Sequence, residues 1–131
     1  MTPFPRFLIL LAALLTIRAA NALDITYDNG GNVFTYALRF EKAKKPIRVL
    51  GPCKSACTLV LAYPGTCVGP KASFSFHAPS GGGKHNAWAA RWLFSRYPVA
   101  IRAWINNHGG LTGEMIVLKG RELHNLIRKC G

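Results

Sequence analysis

Acidic residues are scarce in this chain. Five Asp and Glu stand against 17 Lys and Arg, a formal charge of +12 over 131 residues. Any chemistry that needs a carboxylate must draw on Asp24, Asp28, Glu41, Glu114 or Glu122. No apolar run reaches the roughly 20 residues of a comfortable membrane span; the stretch Phe7–Ile17 is closed by Arg18. The histidines do not join the cysteines at metal-ligand spacing, and the glycines at 81–83 lack the Lys-Ser/Thr ending of a phosphate loop. No metal, flavin or nucleotide cofactor is therefore expected. Internal repeats, low-complexity linkers and a second domain are also missing.

What is present begins with an export signal. Arg6 supplies a positive start, Phe7–Ile17 an apolar stretch, and Ala20-Asn21-Ala22 a small-residue cleavage site. Residues 1–22 are read as a cleavable signal peptide, and 23–131 as a single domain of 109 residues, long enough for a core. The implied location is periplasmic or secreted. Loss of Arg6 and Arg18 leaves a charge of about +10. The basic residues are scattered: only Lys42, Lys44, Lys45 and Arg48 cluster, with no interleaved aromatics for base stacking. A solvated surface is the reading, with no specific nucleic-acid partner and an anionic surface as the alternative.

Cys53, Cys57, Cys67 and Cys130 make an even count in an exported chain, which predicts disulfides rather than zinc. Three connectivities are open. The working pairing is Cys67 with Cys130, tying down the C-terminus, and Cys53 with Cys57.

Strand and helix signals alternate through the first half. Leu23–Tyr27, Ile47–Leu50 and Val68–Phe76 read as strands, the last with Ala72, Phe74 and Phe76 at period two. Val33, Tyr36, Ala37 and Phe40 recur at helical spacing, and Ala56–Tyr63 is an apolar run of helix length. This pattern predicts an α/β fold with a βαβαβ parallel core. The second half reads as helical: His85–Tyr97, a helix after Pro98 ended by Gly109-Gly110, a segment capped by Thr112, and Glu122–Lys129. Ser80–Lys84 is a glycine-rich loop.

In open parallel sheets chemistry gathers at the carboxyl ends of strands. Gly30-Gly31, Ser55 and His77 each fall at such an end. A hydroxyl on a strand-to-helix turn and an imidazole ending the next strand are positioned as a nucleophile and its base.

Three segments in order, Gly30-Gly-Asn-Val33, Gly51-Pro-Cys-Lys-Ser-Ala-Cys57 and Phe76-His-Ala-Pro79, resemble the Clp protease proteolytic subunit and its crotonase-fold relatives. The chain also resembles small exported Clp-protease-like proteins, over roughly Asp24 to Gly83. The resemblance implies Ser55 as nucleophile, His77 as general base, and the N–H groups of Gly31 and Ala56 as the oxyanion donors. The family's acid falls here in the run His108-Gly-Gly-Leu-Thr112, which offers no carboxylate; Asn107 is the substitute, since an Asn orients the histidine in some cysteine proteases. Related signal peptide peptidases use a lysine base, a role for which Lys54 or Lys84 is the counterpart.

Two functions are consistent with these residues. One is a serine peptidase or acyl hydrolase acting on a peptide or acyl substrate. The other is an inactive binding or assembly module whose basic surface, or whose Trp88, Trp92 and Trp104, meets an anionic or protein partner. Crotonase-like proteins commonly self-associate, so a homo-oligomer is expected under either.

Overall fold

Short strands and part-apolar helices succeed one another from Leu23 onward. The computed structural model describes residues 23–81 and 84–131. The predicted signal peptide and the glycines at 82 and 83 lie outside the described residues. The strands are β1 (Leu23–Ile25), β2 (Ile47–Val49), β3 (Pro52–Lys54), β4 (Cys67–Val68), β5 (Ser73–Phe76), β6 (Ser80–Gly81), β7 (Lys84–His85) and β8 (Ile116–Lys119). The helices are α1 (Val33–Lys42), α2 (Ala87–Arg96), α3 (Val99–Asn107) and α4 (Gly120–Leu126), with a 3₁₀ helix at Ser55–Ala62.

The molecule is mixed α/β. One sheet, in the order β1-β2-β4, is all parallel; a second, β3-β5-β8, pairs β3 parallel and β8 antiparallel to β5. Shifts of register separate the two sheets. Ile25 lies opposite Val49, yet Asp28 lies opposite Cys53, so one residue is gained between them. Val49 lies opposite Val68, whereas Pro52 faces Ser73, a slip of two. Extra residues on one strand bend it and re-aim the side chains beyond the bulge. Beyond these shifts β3 and β5 lead directly into Ser55 and His77, which line the site.

Apolar side chains from both halves close the core. Ile25, Ile47, Val49, Phe74, Phe76, Ile101, Ile105, Leu118 and Leu123 are all buried. Phe76 meets the Tyr97 ring edge-on at 5.3 Å and Trp104 at 5.8 Å. Helix α1 starts on Asn32, whose side chain accepts the N–H groups of Phe34 (3.0 Å) and Thr35 (3.1 Å), and ends with basic Arg39 and Lys42 in its last turn.

Several elements differ from expectation. The single strand predicted over Val68–Phe76 is two, β4 and β5, in different sheets. Strand β3 falls inside a predicted turn, because three residues leave no period to see. The helix-length run after Ser55 is 3₁₀, not α, and its side chains from Ala56 to Leu61 are buried all round, so packing rather than amphipathicity sets its form. Thr112 starts no helix: its hydroxyl accepts the Glu114 N–H (3.1 Å), and the chain enters β8 instead. The last helix stops at Leu126, and the tail beyond it joins β4, with the Val68 N–H donating to Arg128 O (2.9 Å) and the Cys130 N–H to Val68 O (3.0 Å). The glycine-rich loop is flanked by the paired strands β6 and β7. Among the described residues no helix is long and apolar enough to cross a membrane.

Both expected disulfides are present, Cys53–Cys57 and Cys67–Cys130. The second spans 63 positions of sequence. Cross-linking so long a loop stabilises by about 4 kcal/mol in the chain-entropy picture. Cys67→Ala with Cys130→Ala should lower the urea-unfolding free energy by that order and release the tail from β4, read as faster amide exchange at Val68 and residue 130. Unchanged stability would show that the tail is held by its hydrogen bonds alone.

Candidate functional site

Ser55 opens the 3₁₀ helix directly after β3, and its φ of +56° lies in the left-handed region. It is the one non-glycine residue among those described with a positive φ. Holding an L-residue there costs on the order of 1–3 kcal/mol and persists only where the surroundings enforce it. Three restraints do so. The Cys53–Cys57 disulfide bridges the turn from either side of the serine. The Thr58 hydroxyl donates to the Ser55 carbonyl (2.6 Å), which leaves Tyr97 O–H to donate to Thr58 Oγ1 (2.6 Å). Burial of that phenol raises the Tyr97 pKa, so it stays a donor.

The third restraint is Gly30. Its φ is +85°, and a Cβ there would stand 2.6 Å from the Lys54 carbonyl oxygen, 2.6 Å from Ser55 Cβ and 3.0 Å from the Ala56 nitrogen. Only glycine lets this turn lie against the serine turn. Asp28 sets the approach. Its Oδ1 accepts the Gly30 N–H (2.9 Å) and the Tyr36 hydroxyl (2.5 Å), and its Oδ2 pairs with Arg39 (2.8 Å). Its backbone meanwhile pairs with β3, the Asp28 N–H donating to Pro52 O (2.8 Å) and the Lys54 N–H to Asp28 O (2.9 Å). Burial works against the Asp28 charge, but the hydrogen bonds from Tyr36, Gly30 and Arg39 outweigh it and hold the carboxyl below its ordinary range. Burial, then the hydrogen bond to Asp28, pushes the Tyr36 phenol up to about 12.

Ser55, Ala56, Gly30, Gly31 and His77 line one cavity of about 390 Å³. Phe34, Leu93 and Asn86 complete much of its wall, and no acidic residue lines it. With the Gly30 N–H committed to Asp28, Gly31 is the glycine whose amide has no partner among the described residues. The Ala56 N–H falls in the first turn of the 3₁₀ helix, where no intrahelical carbonyl reaches it. Both expected oxyanion donors thus sit at the cavity with unclaimed protons.

His77 comes directly after β5 and is half-buried. Its segment is clamped on both sides, the Ala78 N–H donating to Thr112 O (2.6 Å) and the Asn86 N–H to Pro79 O (3.0 Å). His77 Nδ1 lies 2.9 Å from Ala78 O. A carbonyl only accepts, so Nδ1 donates, which in the neutral ring leaves the lone pair on Nε2. No hydrogen bond joins Ser55 Oγ to the ring. A nucleophile and base left loose in the free protein commonly tighten once substrate is bound.

The remaining expected residues fall elsewhere. Asn107 is exposed at the end of α3, outside the cavity lining, and makes no hydrogen bond to His77; the neighbouring carbonyl orients the ring instead. The Lys54 ammonium lies over the Tyr27 ring, 5.7 Å from its centroid, and Lys54 does not line the cavity. Trp104 is buried and donates its indole N–H to Glu122, while Trp88 is exposed and Trp92 half-buried, both against Phe34. Asp28, Thr58 and Tyr97 were not foreseen from sequence. Only Asp28 carried a local signal, an Asp two residues before a glycine, the spacing of a side-chain-to-backbone turn.

No family model matches this chain, and no curated protein matches it.

Asp28 titrates below its unfolded value near 3.8, so its stabilising effect is complete above that pH and fades as pH falls through the lower folded value. Tyr36 behaves oppositely: its share is complete below about 10 and is lost as pH rises through about 12. Asp28→Asn should therefore flatten the acid limb of a stability-against-pH curve, measured by denaturant unfolding. An unchanged acid limb would exclude Asp28 as the group responsible.

Proposed function

We propose that this chain is an exported serine acyl hydrolase of peptidase type, on a Clp-protease-like, crotonase-related α/β scaffold. The observation that carries the reading is the left-handed Ser55 at a strand-to-helix junction, lining the same cavity as His77 and two unclaimed amides. A strained, over-restrained serine at such a junction is the geometry that lifts a hydroxyl toward substrate. Two disulfides and the signal-like N-terminus support an oxidising, periplasmic or secreted setting.

The chemistry runs in two halves. Ser55 Oγ attacks the carbonyl carbon of a peptide or other acyl substrate while His77 Nε2 takes its proton. Negative charge gathers on the carbonyl oxygen, which the N–H groups of Gly31 and Ala56 receive; each such donor contributes on the order of 3 kcal/mol. The intermediate collapses, the leaving group departs with the proton from His77, and Ser55 holds the acyl group. Water, deprotonated by the same imidazole, then releases the acid and restores the serine. The Ala78 carbonyl fixes the tautomer in place of a triad carboxylate but brings no full charge to steady the imidazolium.

That missing charge and the lack of a Ser55–His77 hydrogen bond motivate a second reading, a non-catalytic module on the same scaffold. The two part cleanly. A fluorophosphonate probe should label the folded, oxidised protein, Ser55→Ala should abolish labelling, and His77→Ala should slow it by roughly 10²–10⁴. Asn107→Ala should leave the rate within about twofold, since that side chain lies outside the cavity. Absence of labelling in the folded, oxidised protein would leave the binding module as the reading.

A further inference from the structure

A second cavity, of about 420 Å³, lies away from Ser55, where the C-terminal tail meets α4 and the end of β4. Its wall includes Val68, Pro70, Arg121, His124, Lys129 and Cys130. We propose that this cavity binds a phosphate group, carried either by a small soluble molecule or by a lipid headgroup.

The charge of the wall favours an anion. Arg121 and Lys129 line the cavity with His124, and none of its lining residues is acidic. Neither cation has a carboxylate partner among the described residues. Glu122, the acid next in sequence to Arg121, is engaged elsewhere: it accepts the Trp104 indole N–H and lies 3.7 Å from His108 Nε2. Arg121 and His124 are three apart on α4 and so share a helix face. An anion entering there would meet a guanidinium fork, an ammonium and an imidazole, with no acidic side chain among the lining residues.

One of the lining residues also carries an unpaired ring nitrogen. His124 Nδ1 is buried and has no hydrogen-bond partner in the folded chain. A buried polar atom left unpaired costs on the order of 1–3 kcal/mol. The hydrolase chemistry makes no use of this histidine.

The wall is also rigid. The disulfide Cys67–Cys130 and the hydrogen bonds between Val68 and the tail lace residues 128–130 onto β4. Lys129 is thereby fixed opposite α4 rather than free on a loose terminus. An Arg, a Lys and a His on one cavity wall suit the higher charge and extra acceptor oxygens of a phosphate better than a carboxylate. The volume exceeds what a bare phosphate fills, which leaves room for the group it is attached to.

Isothermal titration of the oxidised full chain with inorganic phosphate at low salt, paired with flotation on phosphatidylglycerol and phosphatidylcholine vesicles, tests the site. Saturable one-to-one phosphate binding, or retention on phosphatidylglycerol but not phosphatidylcholine, is expected. The double variant Arg121→Ala with Lys129→Ala should weaken it at least about tenfold, while Lys44→Ala with Lys71→Ala, an equal loss of charge elsewhere, leaves it within about twofold. Both pairs are exposed residues, so circular dichroism and melting temperature should match the parent. Phosphate binding assigns a soluble ligand, and vesicle retention alone assigns the headgroup. Binding by neither probe, or equal weakening in both double variants, overturns the proposal. Ser55→Ala should bind as the parent does, so failure here leaves the hydrolase reading untouched.

Discussion

The Asp28 carboxylate joins the two halves of the site. One oxygen holds the Gly30 amide and the Tyr36 hydroxyl, the other Arg39, while the Asp28 backbone forms a ladder with the strand that ends beside Ser55. A single residue thus fixes the distance between the glycine turn and the serine turn. In a chain with five acids, placing one of them part-buried behind the glycine turn is a specific use of a scarce residue type. Its charge survives burial only because three donors compensate for the water it loses.

Strain at Ser55 makes sense in that setting. The left-handed backbone is unfavourable by itself, and the disulfide across the turn, the Tyr97–Thr58 relay to the serine carbonyl and the contact with Gly30 each act against its relaxation. Covalent and hydrogen-bond restraints converge on the short stretch from Cys53 to Cys57. A small domain with a modest core gains such rigidity more readily from cross-links than from packing. The same logic repeats at the other disulfide, which fixes the C-terminal tail.

Much of the first half was legible in the sequence. Val33 to Phe40 carried a helical period, Ile47–Leu50 a short strand signal, and the glycine, serine and histidine segments were expected at strand ends; the structure gathers them on one cavity. What escaped notice was short or non-local. Strand β3 has three residues and no period; β8 is recognisable only through its antiparallel partner β5, some forty positions earlier; and the register shifts between the two sheets leave no mark in composition. The relay through Thr58 and Tyr97 spans 39 positions and is invisible to any local rule. Asn107 illustrates the reverse error. A residue chosen by order along the chain lands outside the cavity, because the histidine finds its partner in the next carbonyl.

If the chain is a hydrolase, the Gly31 and Ala56 amides and the Ser55 oxygen must face one reacting centre. A crystal structure of the protein after reaction with a fluorophosphonate tests this most directly. Phosphorus bonded to Ser55 Oγ, with its free oxygen about 2.7–3.1 Å from both amide nitrogens, is the expected result. A label on another residue, or a phosphonyl oxygen turned to solvent with both amides unengaged, would contradict it.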